Sequence, residues 1–199
     1  RDGYLCSKTD NLSKRFFDLI ASTLGLLLLS PFFAIIAFQI RRDSPGPIFY
    51  RGVRAGHRGK TFQILKFRTM YERPESYQGP SITTSDDPRI TPMGKFLRDT
   101  KLNELPQLWN VLKGDMSLVG PRPEDPEIAA EWSDEVRREV LSVRPGITSP
   151  ASVLFPDEER QLPQGMLMQT YFKEVQPNKL RLHQLYVRYH TFWNDLDVL

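Results

Sequence analysis

Cysteine is almost missing from this chain: Cys6 is the single one in 199 residues. An internal disulfide is thereby excluded, as is a cysteine-built zinc site, and a reducing compartment fits best. Histidine is nearly as scarce. His57, His183 and His190 show no close metal-ligand spacing, so surface or packing roles are assigned to them. A phosphate-binding P-loop is also lacking. Arg54 to Thr61 reads RAGHRGKT, but arginine stands where the first glycine belongs, and strand patterns flank it on both sides. There is no internal repeat and no low-complexity tract, and the length suffices for one ordinary core with an appendage. The chain opens on Arg1 rather than methionine and is read as part of a longer polypeptide, with residues 1–13 as a tail.

What is present is one long apolar run. Phe16 to Ile40 reads FFDLIASTLGLLLLSPFFAIIAFQI, long enough at ~1.5 Å per residue to cross a ~30 Å hydrocarbon layer as a straight helix. Two features favour entry and return instead. Pro31 removes a backbone donor in the interior, and Ser30 before it can serve a freed carbonyl. Both flanks are cationic, Lys14 and Arg15 before and Arg41 and Arg42 after, whereas a spanning helix has its positive bias on one side. The expectation is a re-entrant helix-break-helix over 14–42, broken at Ser30 and Pro31, with a straight transmembrane helix as the alternative.

Charge is uneven behind that run. From Arg41 to Arg68 stand Arg41, Arg42, Arg51, Arg54, Arg58, Lys60, Lys66 and Arg68, against Asp43 alone. An anionic neighbour is implied. Nucleic acid ranks last, because no nucleic-acid motif accompanies the charge; membrane lipids and a phosphorylated substrate remain.

The rest, 43–199, reads as one small α+β domain, mainly helical. Ile48 to Arg54 and Thr61 to Met70 alternate as a β-hairpin, and Tyr71 to Asp87 is a Pro/Ser/Thr/Gly-rich loop. Thr91-Pro92 starts one helix and Asn103 a second that ends at Gly114. Pro126 to Leu141 is read as an acidic helix. Leu182, Leu185, Tyr186, Tyr189, Trp193 and Leu196 form one apolar stripe, for the core or a membrane surface.

The strongest candidate site is LNELPQLWNVLKGDMSLVGPRPE, Leu102 to Glu124. Asn103, at an expected helix start, would lie beside free N–H donors and the positive end of the dipole. Glu104 offers a carboxylate for Mg²⁺ bridging to a diphosphate. Asp115, Arg122 and Arg144 add charges, arginine presenting a planar fork for phosphate oxygens. The plainer reading is that Asn103 caps the helix and Glu104 complements its dipole.

Several long segments, in order, tip the balance. KFRTM (Lys66 to Met70), LRDTKLNELPQLWNVLKGDMSLVGPRPE (Leu97 to Glu124), RPGITSPAS (Arg144 to Ser152) and YHTFWNDLDVL (Tyr189 to Leu199) closely resemble the monotopic phosphoglycosyl transferases, the bacterial sugar transferase family. With KRFFDLIAS and the Ser30-Pro31 break, the resemblance covers nearly all of Lys14 to Leu199. It implies an interfacial enzyme at the cytoplasmic face of the bacterial inner membrane. The implied reaction is UDP-sugar plus undecaprenyl phosphate giving undecaprenyl-diphospho-sugar and UMP, with Mg²⁺, initiating exopolysaccharide, capsule or O-antigen assembly. A homodimer is compatible with this reading, and no nucleic acid partner is expected.

In that family an aspartate attacks the donor β-phosphate to form a covalent phospho-sugar, and the neighbouring glutamate helps hold the metal. Glu104 matches the glutamate. Asn103 occupies the aspartate position, and an uncharged amide is a poor nucleophile. The resemblance further implies substrate-binding roles for Lys66, Arg68, Arg98, Arg122 with Pro123, and an orienting role for Asp195. His183 stands where related sequences often carry aspartate and is assigned nothing. Asn103 also supports a rival of another class, a non-catalytic membrane adaptor that binds nucleotide sugar or lipid phosphate.

Overall fold

The computed structural model describes residues 8–77, 87–154 and 176–199. Cys6 and part of the expected 71–87 loop lie outside the described residues.

Helix α1, Lys8–Asp43, runs without interruption in its assignment through Pro31. The expected break is therefore not a gap in the helix. Pro31 leaves the Leu27 carbonyl without its usual N–H partner, and the Ser30 hydroxyl donates to that carbonyl at 2.8 Å. Two polar interruptions of α1, Asp18 and Ser22, are buried, while Thr23, Ser30 and Gln39 and the apolar Leu24, Leu27, Leu28, Ile35 and Phe38 are exposed. This inverts the pattern of a helix on a soluble protein. Residues Leu12–Asp43 are long and apolar enough to cross a membrane.

Both ends of α1 dock on one folded body. Near the start, Arg15 donates to the Val111 and Leu112 carbonyls, and Asp18 accepts from the Leu118 N–H at 3.0 Å. Near the end, Ile36 and Ile40 pack with Phe67 and Leu97 in the core. Between those ends Gly25 also lies against Leu108, so the body runs along α1.

Strands β1 (Phe49–Ala55) and β2 (Thr61–Phe67) form the expected antiparallel hairpin, pairing Tyr50 with Lys66 and Gly52 with Ile64. Thr91 caps α2, Pro92–Asp99, by accepting from the Gly94 N–H at 2.9 Å. A Cβ at Gly94 would sit 2.0 Å from the Thr69 carbonyl oxygen, so only glycine lets α2 lie against the exit of β2.

Three expectations are corrected. No helix starts at Asn103: Leu102–Glu104 is a 3₁₀ turn, and α3 is Gln107–Lys113, ending at Gly114 with φ 97. Pro106 has no N–H to give the Leu102 carbonyl, so bonds from Glu104 through Trp109 run i→i−3 before the α register begins. The acidic helix is two, α4 (Pro126–Ala130) and α5 (Asp134–Val140), because Ser133 accepts from Val136 N–H and restarts the helix after buried Trp132. The C-terminal stripe is likewise split, into α7 (Gln176–Tyr189) and α8 (Phe192–Val198), the second capped by Thr191. Of its apolar residues Tyr186 is buried, while Leu185, Tyr189, Trp193 and Leu196 are exposed; the buried face of α7 carries Gln176, Lys179 and His183.

A parallel pair, β3 (Ser117–Val119) with β4 (Gly146–Thr148), precedes α6 (Pro150–Leu154) and carried no alternation signal. Strands of three residues are too short to show a period of two. The architecture is α+β, with a hairpin, a short parallel pair and helices around them.

Candidate active site

Three chain segments bring charge together at Glu104. The β-hairpin register carries Lys66 on β2, the 3₁₀ turn carries Glu104, and the segment leaving β3 carries Arg122. Lys66 Nζ donates to Glu104 Oε1 at 2.8 Å, and Arg122 Nη2 donates to the same oxygen at 3.0 Å. Arg122 Nη1 reaches Oε2 at 3.4 Å. Side-chain exposures of 14% for Glu104, 20% for Lys66 and 32% for Arg122 make this a recessed site still open at one side.

Burial alone pushes the Glu104 carboxyl up, but the charges and hydrogen bonds of Arg122 and Lys66 override it and hold Glu104 well below the usual carboxylate range. Burial lowers Lys66, opposed by Glu104 and reinforced by Arg122. The local sum is two cations against one anion, so the cluster favours an incoming phosphate.

Asn103 stands beside this cluster, and its Oδ1 is buried without a hydrogen-bond partner. One turn on, Gln107 Nε2 is in the same condition. Such atoms cost about 1–3 kcal/mol each when unsatisfied, and these two stand four residues apart on either side of Glu104 and Pro106 in the chain. For Mg²⁺ the donor set is the Glu104 carboxylate and the Asn103 amide oxygen. No group of three His, Cys, Asp or Glu side chains suited to a metal occurs among the described residues. Two oxygens fit a Mg²⁺ whose remaining ligands are phosphate oxygens and water, not a cation caged by protein alone.

Other residues named from the sequence have different places. Arg68 is buried, and its guanidinium donates to the Pro45 carbonyl at 2.7 Å and the Ser44 carbonyl at 2.8 Å, tying the end of α1 to β2. Lys66 and Arg68 would leave a period-two strand on one face, yet Lys66 bonds Glu104 and Arg68 bonds the segment after α1. Arg98 Nε donates to Thr69 Oγ1 at 2.9 Å, and its charge acts on Asp87. Asp115 and Arg144 gather at the other end of α3 from Glu104. Lys113 Nζ lies 3.2 Å from Asp115, and Arg144 Nε donates to the Gly114 carbonyl at 2.9 Å. Pro123, half-buried, follows Arg122.

Asp195 is buried in a network that ties the C-terminus to α1. It pairs with the Lys14 ammonium and accepts from Tyr186 Oη at 2.7 Å, while Lys14 Nζ also donates to the Val119 carbonyl at 2.8 Å. We expect Asp195→Asn to lower stability by about 2–4 kcal/mol, because it leaves a largely buried ammonium without its counter-charge. Thermal unfolding in lipid nanodiscs reads this; unchanged melting with lost turnover would instead give Asp195 a role in the reaction.

One positioning residue was missed. Asn110, buried on α3, accepts from Leu65 N–H at 2.9 Å and donates to the Gln63 carbonyl at 2.8 Å, so its amide pairs with the edge of β2 and sets Lys66 toward Glu104. Its place in the Leu105/Leu108/Leu112 helical pattern, on the polar side, hid it.

The profile of the bacterial sugar transferase family matches residues 9–199, and the chain belongs to that family. It is 35% identical over 198 residues to the undecaprenyl-phosphate glucose phosphotransferase of Komagataeibacter xylinus, covering 97% of this chain and 35% of that protein. It is 35% identical over 195 residues to the UDP-glucose:undecaprenyl-phosphate glucose-1-phosphate transferase of Escherichia coli K12, covering 97% of this chain and 40% of that protein. With the exopolysaccharide production protein ExoY of Sinorhizobium fredii it shares 41% identity over 151 residues, 69% of this chain and 66% of that protein. The chain thus spans well under half the length of the first two relatives.

Proposed function

We propose that this chain is the transferase unit that passes a phospho-sugar from a UDP-sugar to undecaprenyl phosphate, releasing UMP, at the cytoplasmic face of the bacterial inner membrane. The observation that carries the reading is the Lys66–Glu104–Arg122 cluster with the orphaned Asn103 oxygen beside it. Arg122 and Lys66 hold the donor diphosphate and neutralise charge gathering on the leaving UMP. Glu104 orients both cations in the free protein and, with the Asn103 amide oxygen, would hold a Mg²⁺ arriving with the diphosphate. That ion would supply charge neutralisation at the transferring phosphoryl group. Asn103 faces the transferring phosphorus but offers no carboxylate, so the covalent route is blocked and this chain turns over far more slowly than an aspartate form.

The docking of both ends of α1 on one body supports a re-entrant path, in which the run enters and leaves by the same leaflet. Arg41, Arg42 and Arg51, all exposed, suit anionic lipid headgroups beside it.

The test is UMP release and lipid-product mass across UDP-glucose, UDP-galactose and UDP-N-acetylgalactosamine, run for the parent and for Asn103→Asp. Product from Asn103→Asp with at least one donor supports the transferase. Donor binding with no product from either form establishes the second reading, a binding adaptor, which Asn103 favours.

A further inference from the structure

The C-terminal end of α3 gathers cations that the proposed reaction does not use. Arg15, the last residue before the apolar run of α1, donates from Nη1 to the Val111 carbonyl at 2.7 Å and from Nη2 to the Leu112 carbonyl at 3.1 Å. Arg144, two residues before β4, donates from Nε to the Gly114 carbonyl at 2.9 Å. Gly114 stands against both guanidiniums, since a Cβ there would lie 3.3 Å from Arg15 Nη2. Lys113 precedes it, with 62% of its side chain exposed. Three cations thus meet around Gly114, and Asp115, 3.2 Å from Lys113 Nζ, is the carboxylate beside them. Asp18, one turn after Arg15, is buried and accepts from the Leu118 N–H.

Closing the last turn of α3 accounts for part of this. Guanidiniums on the terminal carbonyls satisfy orphaned acceptors and complement the negative end of the dipole. That role occupies both Nη atoms of Arg15 and the Nε of Arg144. It leaves over the two-nitrogen fork of Arg144, an exposed residue, and the Lys113 ammonium, whose exposed pairing with Asp115 is worth little. Like charges held together at one place attract an anion.

The surroundings say which anion. Arg15 is followed at once by exposed Phe16 at the start of the apolar run. Leu108 lies against Gly25, so α3 runs beside the apolar part of α1, and its exposed Trp109 shares a face with Lys113, four residues on. Cations with an aromatic rim, where the chain meets lipid, match a molecule that is phosphate at one end and hydrocarbon at the other. The Lys66–Glu104–Arg122 cluster stands at the other end of α3, so this is a separate site. We propose that Arg144, Lys113 and Arg15 bind the headgroup of an anionic phospholipid where α1 enters the membrane, with Trp109 beside its chains.

The full chain in a neutral detergent is titrated with phosphatidylglycerol, with phosphatidylcholine and with inorganic phosphate. Bound lipid is measured by native mass spectrometry and melting is recorded in parallel, for the parent, the double variant Lys113→Gln/Arg144→Gln, Arg138→Gln as a charge control, and Arg122→Gln. In the parent, the tightest phosphatidylglycerol is expected to bind about tenfold tighter than phosphatidylcholine. The double variant brings that preference to within about twofold, while Arg138→Gln and Arg122→Gln keep it. Should the double variant fail to fold, Lys113→Gln alone, which removes no backbone contact, lowers the preference about threefold. A preference that survives in the folded double variant overturns the proposal. So does a preference lost in Arg122→Gln alone, which puts the lipid at the Glu104 cluster, or inorganic phosphate that raises melting as much as phosphatidylglycerol does. None of these outcomes bears on the transferase reading, which UMP release tests.

Discussion

In the Asn103→Asp background, where turnover is expected, Glu104→Gln should lower UMP release by about 10²–10³-fold or more, the scale of losing one charged group aimed at a phosphoryl centre. The substitution keeps the shape but removes the charge and turns one acceptor oxygen into an NH2 donor, so the loss reports the carboxylate as an anion and acceptor. Two cations, Lys66 and Arg122, are then left without the carboxylate that both contact. At their partial exposure the stability cost is about 1–3 kcal/mol, below the full penalty of a buried unpaired charge. Activity and melting together separate the effects. A Mg²⁺ titration should show the remaining activity nearly insensitive to the ion, and full retained turnover would remove Glu104 from the metal role.

Asn103→Asp is expected to move the protein the other way. A carboxylate can attack phosphorus and an amide cannot do so usefully, so formation of a covalent phospho-sugar adduct should rise by about 10³-fold or more. Intact mass after mixing with UDP-sugar and Mg²⁺ reads it as a gain of one phospho-sugar on the folded chain. The new carboxylate stands next to Glu104 in the chain and replaces an oxygen that has no hydrogen-bond partner to lose. Charge offers a second reading of the same variant. The cluster goes from one excess cation to balance, so donor affinity should weaken by a few fold even as adduct accumulates. A variant that gains no adduct with any of the three donors would rule out a covalent scheme for this scaffold.

The sequence made the hairpin, the Thr91 cap and the apolar run readable because each depends on neighbours close in the chain: a period of two, a proline after a capping residue, a stretch without charge. At Ser30-Pro31 the expected break is not a gap, since the Ser30 hydroxyl bonds the carbonyl that Pro31 abandons and α1 runs on through the pair. Segments long enough to resemble one family also placed Glu104, Lys66 and Arg122 among the candidates, and the three meet. Arg68, Asp115 and Arg144 carry the same charges and motifs, yet the first is spent on backbone carbonyls and the other two stand beyond α3.

Sequence by itself therefore determined the chemical inventory and the local elements: a basic hairpin, an amide where a carboxylate would act, a membrane-length apolar helix. Tertiary structure alone decided which charges meet, that Asn110 sutures α3 to β2, that both ends of α1 dock on one body, and that α7 turns glutamine, lysine and histidine inward. Those outcomes depend on contacts between residues far apart in the chain, where burial and the loss of water set the energy of a charge or an unpaired amide, and no periodicity or motif encodes that proximity.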